Sequence, residues 1–137
     1  MWQKRGVAIL INRTVFPQKK IIQDKKGRCV MAVGSIGETE LYILNLNAQN
    51  EDDYGLFKEI ANVVASIAKG MIIVGGDFNT VQDGIRDRLP SEKTPLSKKS
   101  KILNSMITEL GLVDTWRGYN PKGKDSSLFS NDHGSYS

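Results

Sequence analysis

A chain of 137 residues with 39% hydrophobic and 25% charged side chains can bury one core, and no apolar run approaches the ~18 residues of a membrane span, which points away from a membrane protein. Its single cysteine, Cys29, excludes an internal disulfide and a cysteine-based zinc site; "MWQKRGVAILIN" lacks the h-region and cleavage site of a signal peptide, so an intracellular setting, the nucleus included, is expected. The net charge of +4, gathered at Lys19, Lys20, Lys25, Lys26 and Arg28, at Lys98, Lys99 and Lys101, and near Lys122 and Lys124, suits polyanionic partners, though on charge alone a solvated lysine surface is the favoured reading.

In chain order, "VAILI" at 7–11 is short and branched and predicts a buried strand. "KIIQ", "CVMAVGSI" and "LYILNL", separated by the turns "DKKGR" and "GETE", predict an antiparallel meander. From Asp53 to Lys69 the period becomes helical, with Leu56, Phe57, Ile60, Val63, Val64, Ile67 and Ala68 on one face, Asp52 or Asp53 as N-cap and Gly70 as the stop. "MIIV" at 71–74 is apolar at every position and predicts a strand buried on both faces. A polar loop, Asp83 to Ser97, leads to a second amphipathic helix bearing Ile102, Leu103, Met106, Ile107 and Leu110 and stopped by Gly111; "LVDTW" predicts a short strand or extended segment, and the tail from Gly118 is rich in turn formers around Leu128 and Phe129. No internal repeat or linker is evident, and sheets interleaved with helices predict a layered α/β or α+β fold.

The chemistry concentrates at two strand ends. In "GGDFN", Gly75 and Gly76 remove side chains where a strand stops, and Asp77 and Asn79, two apart in an extended segment, point to one side. A carboxylate beside an amide suits activating a water while holding a phosphate oxygen, but the same stretch reads equally as a turn whose Asp and Asn bond their own backbone. In "LNLNAQN", Asn45 and Asn47 repeat the arrangement, and two neighbouring strands ending this way would build a shared pocket. His133 in its loop reads as exposed or structural, Asp87 and Arg88 as a surface ion pair that could also reach DNA, and Trp116 as a core residue.

The ordered set "RGVAILI", "QDKKGRCV", "LNLNAQN", "GGDFNTV", "LGLVDTWR", "NP" and "FSNDHGSYS" resembles the endonuclease/exonuclease/phosphatase superfamily over nearly the whole chain, and within it the endonuclease domains of non-LTR retrotransposons of the long-interspersed-element type. The resemblance implies two mixed, mainly antiparallel β-sheets packed together with helices outside, and Mg²⁺-dependent hydrolysis of a DNA phosphodiester. It makes Asp77 the residue that orients or deprotonates the attacking water, Asn79 and, at the family's Tyr position, Asn47 the phosphate-facing residues, and Asn45 and Arg88 candidate contacts to phosphate or DNA. The expected partners are DNA and a reverse transcriptase domain downstream in the parent protein.

The sequence departs from the family at three places. The "NxNG"-like and "QETH"-like segments that serve the metal would lie before Met1, and the "SRID"-like and "SDH" segments would follow Ser137, so residues 1–137 are expected to be a partial domain without its outer strands and without metal ligands of its own. "NLNAQN" replaces a "NIYAPN"-like stretch, and "SSLFS" an aromatic "YTWFS"-like one. The isolated chain is therefore expected to be inactive, a fragment of a DNA-nicking domain; a non-catalytic nucleic-acid-binding or relic fragment, and a phosphoesterase acting on lipid or inositol phosphates, are the alternatives.

Overall fold

The computed structural model describes residues 6–48, 54–80 and 95–122, together with the backbone of 129–130 and 135–136. These residues form a mixed α+β chain that divides into two compact units, Met1–Asp53 with Asn62–Asn79, and Tyr54–Ala61 with Thr80–Ser137.

The first unit is built on a four-stranded sheet of β1 (Gln18–Gln23), β2 (Cys29–Ile36), β3 (Thr39–Asn47) and β4 (Met71–Asp77), in that spatial order. The expected meander is present: β1, β2 and β3 are antiparallel, and Ile36 pairs with Thr39, so the second turn narrows to Gly37 and Glu38. β4 then joins β3 in parallel after the helix α1 (Tyr54–Ile67), because a parallel partner requires a crossover.

One sheet face buries Met31, Val33, Tyr42, Leu44 and Leu46; the other carries a cluster of Phe16, Ala32 and Leu41 with Ile9, Ile11 and Ile43 against it. Residues 7–11 contribute to that cluster without being a strand. They run without ladder pairing across the face, with Leu10 96% exposed, so branched side chains here supply packing rather than sheet edge. β4 departs from expectation as well: Met71 and Ile73 are 56% and 47% exposed, so its uniformly apolar sequence does not mean burial on both faces.

Helix α1 buries Leu56, Phe57, Ile60, Ala61 and Val64, a stripe at helical spacing in which Ala61 replaces the anticipated Val63, which is half-exposed. The anticipated caps Asp52 and Asp53 lie outside the described residues. Gly70 is not a left-handed stop; a Cβ there would fall 2.2 Å from the Glu40 carbonyl oxygen, so its small size lets the chain pass β3. The helix end is closed by Tyr42, whose single hydroxyl proton is shared between the Ile67 carbonyl (3.0 Å), one of those a helix terminus leaves open, and Glu40 Oε1. The bond to Glu40 raises the Tyr42 hydroxyl above its ordinary pKa and lowers the Glu40 carboxyl below its own.

In the second unit, α2 (Lys98–Glu109) follows the anticipated stripe, with Leu103 and Met106 buried. Gly111 stops it in the left-handed conformation (φ +62°), where Leu112 N–H reaches the Ile107 carbonyl (2.9 Å) and Gly111 N–H that of Thr108 (3.2 Å), a Schellman closure. Ser97 caps the start, its Oγ accepting from Ser100 N–H at 3.1 Å. Ser97→Ala is expected to cost about 1 kcal/mol, read as a lower urea midpoint with an unchanged m-value. "LVDTW" is not a strand: Asp114 accepts from Arg117 N–H and starts α3 (Thr115–Tyr119), which leaves Trp116 45% exposed rather than in the core. In the tail, β5 (Phe129–Ser130) and β6 (Ser135–Tyr136) pair as a two-stranded antiparallel ladder where only turns were anticipated.

Candidate active site

The register of β3 against β4 places the candidate residues. Asn45 stands opposite Gly75, Leu46 opposite Gly76 and Asn47 opposite Asp77. Partners across a ladder share a face, so Asn45, Asn47 and Asp77 lie on one side of the sheet at the carboxyl ends of adjacent strands. The ladder continues one step further, with Ala48 N–H donating to the Asp77 carbonyl at 2.8 Å. The neighbouring strand ends expected to share a pocket are therefore side by side.

The two glycines have different duties. Gly76 has φ +131°, and a Cβ on it would lie 1.9 Å from the Leu46 carbonyl oxygen, so only glycine lets β4 approach β3 here. A Cβ on Gly75 would meet nothing within 4 Å, which leaves the face beside Asn45 open up to Asp77.

Asp77 and Asn79 do not simply alternate along one strand. The strand ends at Asp77, and Asn79 takes a left-handed conformation (φ +44°) with its N–H donating to Asp77 Oδ1 at 2.9 Å. The turn reading of "GGDFN" thus holds, and the same turn fixes an exposed carboxylate at the end of a strand. Turn and site are one structure.

Asn45 donates through Nδ2 to the Ala8 carbonyl at 2.8 Å, anchoring the 6–12 segment rather than presenting that donor outward. Among the described residues the buried Oδ1 of Asn47 has no hydrogen-bond partner, although the residue as a whole is only half-buried. Arg88, Asp87 and His133 lie outside the described residues.

The backbone of Asn47 reaches a feature that residue types alone did not separate from the basic cluster. Asn47 N–H donates to the Arg28 carbonyl at 2.7 Å, tying β3 to the end of the β1–β2 turn. Arg28 itself is buried, its Nε 2.9 Å and Nη2 3.2 Å from the two carboxylate oxygens of Asp24, so it does not belong to an open basic surface. The Arg28 side-chain bond holds the Asp24 carboxyl below its ordinary pKa against the opposing effect of burial, and the backbone N–H groups of Arg28 and Lys26 add to the lowering. Because the folded pKa is the lower one, this stabilisation is complete above about pH 4, the unfolded range of Asp, and is lost as pH falls through the folded value. Asp24→Asn is expected to cost roughly 1.5–3 kcal/mol at pH 7 and to flatten the acid limb of the stability curve below about pH 4, as measured by thermal unfolding across pH.

No family model matches the sequence. The fold does match solved structures, among them an AP endonuclease from Archaeoglobus fulgidus, with a TM-score of 0.64 at 13% identity over 83% of this chain and 51% of that one. The chain shares its fold with part of that AP endonuclease. The likeness rests on structure at low identity, and the chain spans about half the length of that AP endonuclease. In this fold the Asn47 and Asp77 pair occupies adjacent strand ends.

A resident cation is a separate matter. A hard divalent ion such as Mg²⁺ takes about six oxygen ligands, commonly one or two carboxylates with waters and substrate oxygens. Among the described residues no three of His, Cys, Asp and Glu come together, and Asp77 is the one carboxylate at the strand ends, so these side chains alone do not fit a magnesium site. No helix among the described residues is long and apolar enough to cross a membrane.

Proposed function

We propose that this chain is part of a phosphodiesterase domain that nicks DNA, of the kind carried by non-LTR retrotransposons, with Mg²⁺ as its cofactor and a reverse transcriptase domain as its companion in the parent polypeptide. The observation that carries the reading is the placement of Asn47 beside Asp77 at the carboxyl ends of parallel strands in an endonuclease-like fold.

Asp77, oriented by the Asn79 N–H, accepts a proton from a water as that water's oxygen forms a bond to phosphorus and the bond to the leaving sugar oxygen breaks. The amides of Asn79 and Asn47 donate to non-bridging phosphate oxygens, where charge builds in the transition state. Magnesium, when bound, would supply further neutralisation of that charge, and its ligands would have to come from outside the described residues.

It follows that the 137-residue chain alone binds DNA without turning it over. Plasmid nicking in Mg²⁺ tests both parts. The isolated chain is expected to shift DNA in a gel without converting supercoiled plasmid to open circle, while a polypeptide carrying this chain with its flanking segments is expected to nick. Metal-dependent nicking by the isolated chain that disappears in Asp77→Asn would overturn the non-catalytic half of the proposal. Failure of the extended polypeptide to nick any DNA would overturn the other half.

A further inference from the structure

We infer that the tip of the β1–β2 turn, Lys25 and Lys26, is a second phosphate-contact site that holds the DNA strand beyond the candidate active site. The inference rests on the DNA-nicking reading above, and extends it to a surface on the far side of β3. Sheet topology brings the two together. β2 begins where β3 ends, Cys29 being paired with Leu46, so the turn between β1 and β2 lies at the same end of the sheet as Asn47 and Asp77. One transverse row connects them, from the Arg28 carbonyl to Asn47 N–H, and from Asn47 to its partner Asp77.

The turn is rigid at its base and charged at its tip. Asp24 O accepts from Gly27 N–H (3.0 Å), Asp24 N–H donates to Cys29 O (3.0 Å), and the Asp24 carboxylate accepts from the Lys26 and Arg28 N–H groups (3.2 Å each) as well as from the Arg28 guanidinium. Asp24 therefore compensates Arg28, and the exposed Lys25 and Lys26 are left as the outward charge. Two strand spacings separate β2 from β4, so the tip stands on the order of 10–14 Å from Asp77. With one phosphate per ~3.4 Å of axis on each strand, that is about three to four nucleotides of a duplex whose axis runs across the sheet end.

The other lysines of the hairpin give the control. Lys20 lies on β1 of the same hairpin but is paired with Val33, towards the opposite end of the sheet, and Lys19 nearby sits 3.7 Å from Glu40. A merely diffuse positive field would treat Lys20 and Lys25 alike; a phosphate track would not.

The test is the salt dependence of binding of the 137-residue chain to a short DNA duplex by fluorescence anisotropy, comparing the unsubstituted chain, the double variant Lys25→Ala/Lys26→Ala and Lys20→Ala. Each lost phosphate contact lowers the slope of log Kobs against log salt by about 0.9, so the double variant is expected to lose about 1.8. Between 50 and 200 mM salt its affinity should then fall about twelvefold less than that of the unsubstituted chain. Lys20→Ala should leave the slope unchanged. All three exposed side chains leave the Asp24 bonds in place, and circular dichroism confirms folding. An unaltered slope in the double variant, or an equal loss in Lys20→Ala, would overturn the inference while leaving the DNA reading intact. An unsubstituted chain that fails to bind DNA, or binds anionic vesicles in its place, would overturn both.

Discussion

Gly76→Ala is expected to lower stability by about 3–5 kcal/mol, whereas Gly75→Ala, one residue earlier, should change it by less than about 1 kcal/mol. The difference comes from what a methyl group meets. At Gly76 it would sit 1.9 Å from the Leu46 carbonyl oxygen and 2.8 Å from the Leu46 carbonyl carbon and nitrogen, on a backbone whose φ of +131° already disfavours an L side chain. None of those atoms can swing aside, because they belong to the ladder that joins β3 to β4. Relief would require separating the strands and breaking the bond from Ala48 N–H to the Asp77 carbonyl. Against a total of roughly 5–15 kcal/mol for a domain, the loss is a large fraction and should lower the melting temperature by about 10–20 °C. Gly75→Ala enters open space and reduces the freedom of the unfolded chain, so it should fold normally while crowding the face next to Asn45. Thermal and urea unfolding of the two variants decide the matter; equal stabilities would mean that β3 and β4 do not approach as described.

Asp77→Ala is expected to reduce nicking by about 10²- to 10⁴-fold in a polypeptide that nicks DNA and contains this chain, with little change in DNA affinity. A proton acceptor contributes mainly in the transition state, so the loss should fall on kcat and leave KM nearly unchanged. The same substitution removes the acceptor of Asn79 N–H, which stabilises a left-handed residue, and a modest stability loss of about 1 kcal/mol is expected alongside. Asp77→Asn separates the two effects: its amide oxygen still accepts from Asn79 N–H and preserves the turn, but it takes no proton from water. Activity retained in Asp77→Asn at the level of the unsubstituted protein would show that the carboxylate orients the loop and nothing more.

Much of the local architecture was legible before any coordinates. The boundaries of β2 follow from the glycine-containing turns on either side of it, and the stripes of α1 and α2 from the 3.6-residue period, which buries one face of a helix. The stop at Gly111 follows from the left-handed residue that a helix end favours. "GGDFN" declared a strand end with a fixed carboxylate, whichever of its two readings was taken.

What composition could not settle was partnership. The apolar run of 71–74 is identical whether or not something covers it, and only the sheet order places β4 at an edge with Met71 and Ile73 exposed. Residues 7–11 have the side chains of a strand, yet strand identity depends on a ladder neighbour, and among the described residues they have none. Arg28 looked like one more surface cation beside Lys25 and Lys26 until Asp24 closed on it.

By itself, then, the sequence determined the elements, the turn chemistry and the residue types capable of acting on a phosphodiester, because those depend on neighbours a few positions away. Tertiary structure alone decided that Asn47 faces Asp77, that Gly76 is obligatory while Gly75 is open, and that the lysine turn shares an end of the sheet with the candidate site. Each of these depends on a register between segments some 20 to 30 residues apart, set by the crossover through α1 and by which faces the sheet can bury, and no local spacing carries that information.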